Sequence, residues 1–140
     1  MNKFFRTMII SILALFSVEV SAVGADYKCT VDRFSIASGD TGKLYEYYKK
    51  QYIGKEFTVN RATGHMAGEV KNSYVTAPQV IDFGSSENSY KVVTTMKKEE
   101  GVGSGSNIYA LTINEYETTR QKPFVFMKND KVVFGTCVSF

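Results

Sequence analysis

One histidine, two cysteines and no concentrated block of positive charge leave this 140-residue sequence without the materials several protein classes need. A zinc site takes about four ligands, and so short a set of His and Cys implies neither a metal nor a cofactor. Nucleic-acid binders gather basic residues on one face. Here 17 basic and 14 acidic side chains are scattered along the chain for a net charge of +3, so no nucleic-acid partner is expected. No Gly-x-Ser-x-Gly elbow, His-Glu-x-x-His helix, Walker loop or calcium loop is present, which removes the signatures of the commonest small hydrolases and nucleotide enzymes. The uncharged apolar run from Thr7 to Val18 is 12 residues long and ends at Glu19, short of the roughly 20 that cross a bilayer as a helix.

That run has another reading. Lys3 and Arg6 precede it, and Val20-Ser21-Ala22 supplies small residues after it; a positive stretch, an apolar stretch and a small-residue site in this order make an export signal. Residues 1–22 are read as a signal peptide, and 23–140 as a single exported β-rich domain, periplasmic or secreted. Losing Lys3, Arg6 and Glu19 leaves 15 basic against 13 acidic side chains. An exported chain meets an oxidising compartment, and Cys29 and Cys137 are the two cysteines it has. Their pairing is expected. A crosslink closing so long a loop stabilises by up to ~4.7 kcal/mol in the chain-entropy treatment.

The mature part alternates apolar and polar residues with a period of two, the pattern of strands with one buried face. Tyr27, Cys29 and Val31 share one parity, but Phe34 and Ile36 fall on the other, and a β-bulge near Asp32-Arg33 reconciles them. Phe57, Val59 and Arg61 alternate ahead of Ala62-Thr63-Gly64 and a return strand from His65 to Val70, which reads as a hairpin. Further strands are expected over Val80 to Phe83, over Tyr90 to Lys97, over Ile108 to Glu117, and on either side of a tight turn at Asn129-Asp130. One stretch argues for a helix. After Asp40 as candidate cap, Leu44, Tyr45, Tyr48 and Tyr52 fall at helical spacing, with Leu44, Tyr48 and Tyr52 as the face laid on the sheet, and Gly54 can end the helix.

The fold class is therefore mainly β: an antiparallel meander of about seven or eight strands, a closed or nearly closed small barrel with one short helix. The alternative is an α+β fold, a curved open sheet with the helix packed on it. A disulfide between the first and last strands brings the two together, as a small barrel would.

For chemistry, the segment KLYEYYKKQY from Lys43 to Tyr52 stands out. Tyrosine offers a rigid apolar ring with a polar tip; Tyr47, off the packing face, together with Lys49 and Lys50, is the candidate binding surface. His65 sits at a turn and has no fixed-spacing Asp or Ser partner. Asp82, Glu99, Glu100, Glu115 and Glu117 are the acids from which a glycosidase-type pair would have to come. The glycine-rich stretch from Lys97 to Asn107 precedes a β-rich run rather than a helix, so it reads as a hairpin tip and not as a phosphate loop.

Val132, Phe134, Val138 and Phe140 share one parity, which resembles the last strand of outer-membrane β-barrels. The resemblance implies a small outer-membrane or surface barrel. Against it, membrane strands need roughly 9 to 11 residues with an apolar outer side, and the strands here are mostly shorter and carry Lys91, Lys97 and Lys128, so no membrane insertion is expected. Size, export signal and disulfide are also similar to those of the small periplasmic β-barrels that inhibit lysozyme, although their serine- and glycine-containing loop has no counterpart here. The reading that results is a non-enzymatic binding or inhibitor-like module acting on an envelope or extracellular protein or polysaccharide. A small secreted hydrolase using a carboxylate pair is the alternative from another class.

Overall fold

The structure, a computed structural model, describes residues 24–73 and 75–140. The expected signal segment, residues 1–22, lies outside the described residues. Eight strands form one antiparallel sheet: β1 (Tyr27–Ile36), β2 (Glu56–Val59), β3 (Met66–Gly68), β4 (Gln79–Phe83), β5 (Tyr90–Met96), β6 (Asn107–Ile113), β7 (Lys122–Lys128) and β8 (Lys131–Ser139), with helix α1 (Lys43–Tyr52) between β1 and β2. The spatial order is β3-β2-β1-β8-β7-β6-β5-β4. This is a meander cut open between β3 and β4 and joined through β8 and β1. The sheet curls strongly into a half-barrel.

Its concave side holds the core. Tyr27, Cys29, Val31, Phe57, Val59, Tyr90, Val92, Leu111, Ile113, Phe124, Phe126 and Val133 are buried, each on the inward parity of its strand. Burying such a side chain is worth about 1.5–3 kcal/mol. The phase slip in β1 is a bulge: the β1–β8 register shifts between Val31 and Arg33. Asp32 is the extra residue, and it returns Phe34 and Ile36 to the buried side. A second register shift lies between Val80 and Asp82 in the β4–β5 pair. Bulges bend and twist the strands that carry them, which is how a sheet of eight strands comes to wrap its own core.

Two positions show why the curl needs glycine. Gly135 lies opposite Val31 beside the β1 bulge, and a Cβ there would collide with the Thr30 carbonyl and stand 2.8 Å from the Phe124 ring, which covers the bare position from the neighbouring strand. Gly64, at φ +77°, ends the β2–β3 turn, and its Cβ would meet Val92 at 2.7 Å. The hairpin tip thus rests directly on β5, bridging the gap between the two sheet edges. Beyond β3 the chain turns back over the open edge. There the buried Asn72 accepts from the Met66 N–H at 3.2 Å and donates to the Gly64 carbonyl at 2.8 Å, so its side chain satisfies backbone groups beside the edge strand β3.

Cys29 and Cys137 are bonded and face each other across β1 and β8, fully buried. The expected disulfide and the expected meeting of first and last strands are one feature.

The helix departs from expectation in two details. Gly42 is its N-cap, with no side-chain cap, and Asp40 instead accepts from the Gly42 N–H at 2.7 Å in a local turn. The packing face is Tyr45, Tyr48 and Tyr52, while Leu44 is 53% exposed. Spacings of i, i+3, i+7 and i, i+4, i+8 are both helical. Phe34 decides between them, with ring centroids at 5.5 Å from Tyr45, 6.4 Å from Tyr48 and 5.4 Å from Tyr52. The Tyr45 hydroxyl also donates to the Phe34 carbonyl at 3.3 Å. The bulge that turns Phe34 inward therefore also sets the rotation of the helix. After the helix, Gly54 takes φ +78°, and its N–H donates to the Val31 carbonyl at 2.8 Å.

Candidate functional site

With Tyr45, Tyr48 and Tyr52 turned to the core, helical geometry puts Lys43, Glu46, Tyr47 and Lys50 on the opposite face and Leu44, Gln51 and Lys49 on its flanks. All seven are exposed. Tyr47 is 58% exposed, and its ring stands edge-on to Tyr48 with centroids at 5.4 Å. That contact restricts the tyrosine without covering it. Leu44 and Tyr47, three residues apart, form an apolar ridge with lysines beside it. Lys49 differs from Lys50. Its ammonium lies 3.8 Å from Glu46 and 5.9 Å from the Tyr45 ring, so it belongs to the flank of the packing face. Of the three residues singled out in the sequence, Tyr47 and Lys50 share the outer face and Lys49 lies on one flank beside Glu46; Leu44, exposed on the other flank, adjoins Tyr47. The electrostatics of the helix reinforce its charge pattern: Glu46 lies in the first turn and Lys49 and Lys50 in the last, complementing the macrodipole.

Of the acids considered for a catalytic pair, Asp82, Glu100 and Glu115 are engaged in different contacts. Asp82 accepts from the Gly84 N–H at 2.8 Å and lies 3.7 Å from the Lys91 ammonium. Glu100 accepts from the Lys97 N–H at 2.5 Å within the β5–β6 loop. In that loop Gly101 sits against Met96, while Val102 at the tip is fully exposed. Glu115 accepts a 2.6 Å hydrogen bond from the Tyr27 hydroxyl and pairs with Arg61 at 3.5 Å. His65 is exposed, its Nδ1 3.3 Å from the Thr63 hydroxyl.

The Tyr27–Glu115–Arg61 group is the most densely connected polar cluster of the described residues, and the sequence reading passed over it. The side chains of Arg61 and Glu115 are only 11% and 17% exposed. Arg61 also donates through Nη2 and Nε to the Phe83 carbonyl at 2.8 and 3.2 Å and lies over the Tyr27 ring at 5.2 Å. The Tyr90 hydroxyl donates to the Arg61 carbonyl at 3.0 Å, and Tyr27 and Tyr90 meet at 5.3 Å. Burial, and secondarily the hydrogen bond to Glu115, raises the Tyr27 phenol above its ordinary range. Burial likewise pushes Tyr90 up to about 12. A signal was available: Arg61 shares the inward parity of Phe57 and Val59, and an inward arginine requires a buried partner. What the cluster does is mechanical. It ties the β2–β3 turn to the end of β4 and to the β6–β7 loop, across the gap where β3 and β4 are not hydrogen-bonded.

Among the described residues no group of three or more His, Cys, Asp or Glu converges as a metal site, and no helix is long and apolar enough to cross a membrane. No family model, curated protein or solved structure matches the chain.

Proposed function

We propose that this chain is a non-enzymatic binding module, exported to the periplasm or beyond, that holds an envelope or extracellular macromolecule on the outer face of α1. The supporting observation is the exposed Leu44–Tyr47 ridge, which packing does not use and which Lys43 and Lys50 flank. An aromatic ring with aliphatic and ammonium neighbours suits an acidic polysaccharide or an acidic protein surface, because the ring supplies contact area at small entropic loss and the lysines supply attraction. The inhibitor-like variant of this reading uses the same face.

The test is a pair of measurements on Tyr47→Ala. Urea unfolding should shift by no more than about 0.5 kcal/mol, as for an exposed residue away from caps and packing. Retention of the envelope component captured by the wild-type chain should fall sharply, and Lys50→Glu should fall with it. Capture unchanged in both variants overturns the assignment of the face. Turnover of a defined polysaccharide by the purified chain overturns the non-enzymatic reading.

A further inference from the structure

Strand β7 places Phe124 and Phe126 on the concave face, and strict alternation sends Lys128 to the same side. Across the turn, β8 does the same with Lys131, which shares the parity of Val133 and Cys137. Two inward lysines at one end of an apolar interior need explaining. Lys131 has its explanation: Asp130 lies 2.8 Å from the ammonium, and the Tyr48 ring is 4.4 Å away. Lys128 does not. Its ammonium lies 5.8 Å from the Tyr109 ring centroid, and among the described residues no carboxylate stands within ion-pair distance of it.

Beside Lys128 is a half-open cavity of about 70 Å³, between the end of α1, the β3–β4 connection and β7. Phe126 and Val70 give it an apolar floor, and Tyr52, Glu69, Lys71 and Lys128 give it a polar wall. Glu69 is already held by Lys55 at 3.3 Å, which leaves Lys128 facing no free carboxylate of the lining. The Tyr52 hydroxyl makes no hydrogen bond to another described residue. Burial raises its phenol, so it keeps its proton and stands as a donor.

We infer that this cavity is a subsite for a small aliphatic carboxylate, the head group meeting Lys128 and Tyr52 and the methylene stem lying on Phe126 and Val70. An inorganic anion would leave the apolar floor uncovered, and a neutral group would leave Lys128 without a counter-charge. The volume lies well below the ~300–1,000 Å³ that encloses a drug-sized ligand. It therefore takes a terminal group: a free small acid, or the tip of a glutamate side chain. The site is separate from the Leu44–Tyr47 ridge, and neither depends on the other.

The experiment is a titration of the full exported chain with sodium propionate against sodium chloride at equal ionic strength, followed by the backbone amide signals of Val70, Lys71 and Phe126. Saturable shifts confined to these residues and their neighbours are expected. Lys128→Met should weaken binding by about tenfold or more, the factor carried by a lost charged hydrogen bond, while Lys128→Arg should retain it. If Lys128→Met fails to fold, Tyr52→Phe should weaken binding in the same direction, because it removes the hydroxyl donor and keeps the ring. A short glutamate-rich peptide forms the second arm: binding tighter than propionate at the same signals assigns the carboxylate to a peptide, and weaker binding assigns it to a small acid. Shifts that do not saturate, or that persist unchanged in folded Lys128→Met or Tyr52→Phe, overturn the inference.

Discussion

At the end of the half-barrel where Tyr27 and Tyr90 meet, both tyrosine hydroxyls have partners: Glu115 for the first, the Arg61 carbonyl for the second. At the end covered by α1, Phe34 gathers Tyr45, Tyr48 and Tyr52; around them Lys49 pairs with Glu46 and Lys131 with Asp130, while Lys128 lies over the Tyr109 ring with no carboxylate of the described residues in ion-pair distance. Both ends bury aromatic rings. The first closes its charges on one another in a cluster that holds three segments together. The second leaves Lys128 without a carboxylate partner among the described residues and turns a ridge of Leu44 and Tyr47 outward. A buried ion pair is most useful where geometry must be unique, and unbalanced charge beside an accessible cavity is most useful where something else must bind.

Removing Phe34 should break the comparison most severely. Phe34→Ala deletes a buried ring contacted by all three inward tyrosines, and a loss of about 3–5 kcal/mol is expected, as for other buried aromatic truncations. Urea unfolding measures it, and far-UV circular dichroism should show the helix weakened ahead of the sheet. Glu115→Gln, at the other end, should cost about 1.5–3 kcal/mol, the range for a hydrogen bond to a charged group. Combined with Tyr27→Phe it should cost less than the sum of the two, because both changes act on one bond. The smallest effect is in alkali. The folded chain holds the Tyr27 and Tyr90 protons more tightly than the unfolded chain does, Tyr90 titrating at about 12 instead of 10. Above pH 10 the unfolded state therefore binds fewer protons, and stability must fall as pH rises from 10 through 12, with this contribution intact below 10. Tyr90→Phe should flatten that decline while shifting the neutral-pH midpoint by only about 1 kcal/mol, the net value of a neutral hydrogen bond. An unchanged alkaline slope would show that the phenol is solvated.

How legible this was in the sequence differs from feature to feature. The bulge was plain, because Phe34 and Ile36 lie on the wrong parity for a regular strand and burial permits no other resolution. The disulfide partners were fixed by number. The helix was legible in extent but not in rotation: with Leu44, Tyr45, Tyr47, Tyr48 and Tyr52 within ten residues, two apolar faces are possible, and the choice is made by a residue outside the helix. The exposure of Tyr47 and Lys50 followed from either face, whereas the pairing of Lys49 with Glu46 and the exposure of Leu44 did not. Glu115 was hidden for a related reason. Expected within a strand reaching Glu117, it lies beyond the end of β6 at Ile113, where the chain turns and hands the carboxylate to Tyr27.

The position of β1 sets a timetable. It lies inside the sheet between β2 and β8, and nine of its residues pair with β8, the last of the described strands. The earliest of these strands to be synthesised is thus among the last to be satisfied, since its longer partner does not exist until the other seven have been made. Pairing across the whole length of a chain is slow, because loop closure precedes the contacts that reward it. Until then the nascent protein lacks the strand that completes its sheet, and the bond between Cys29 and Cys137 can record the native pairing only after both ends have arrived together.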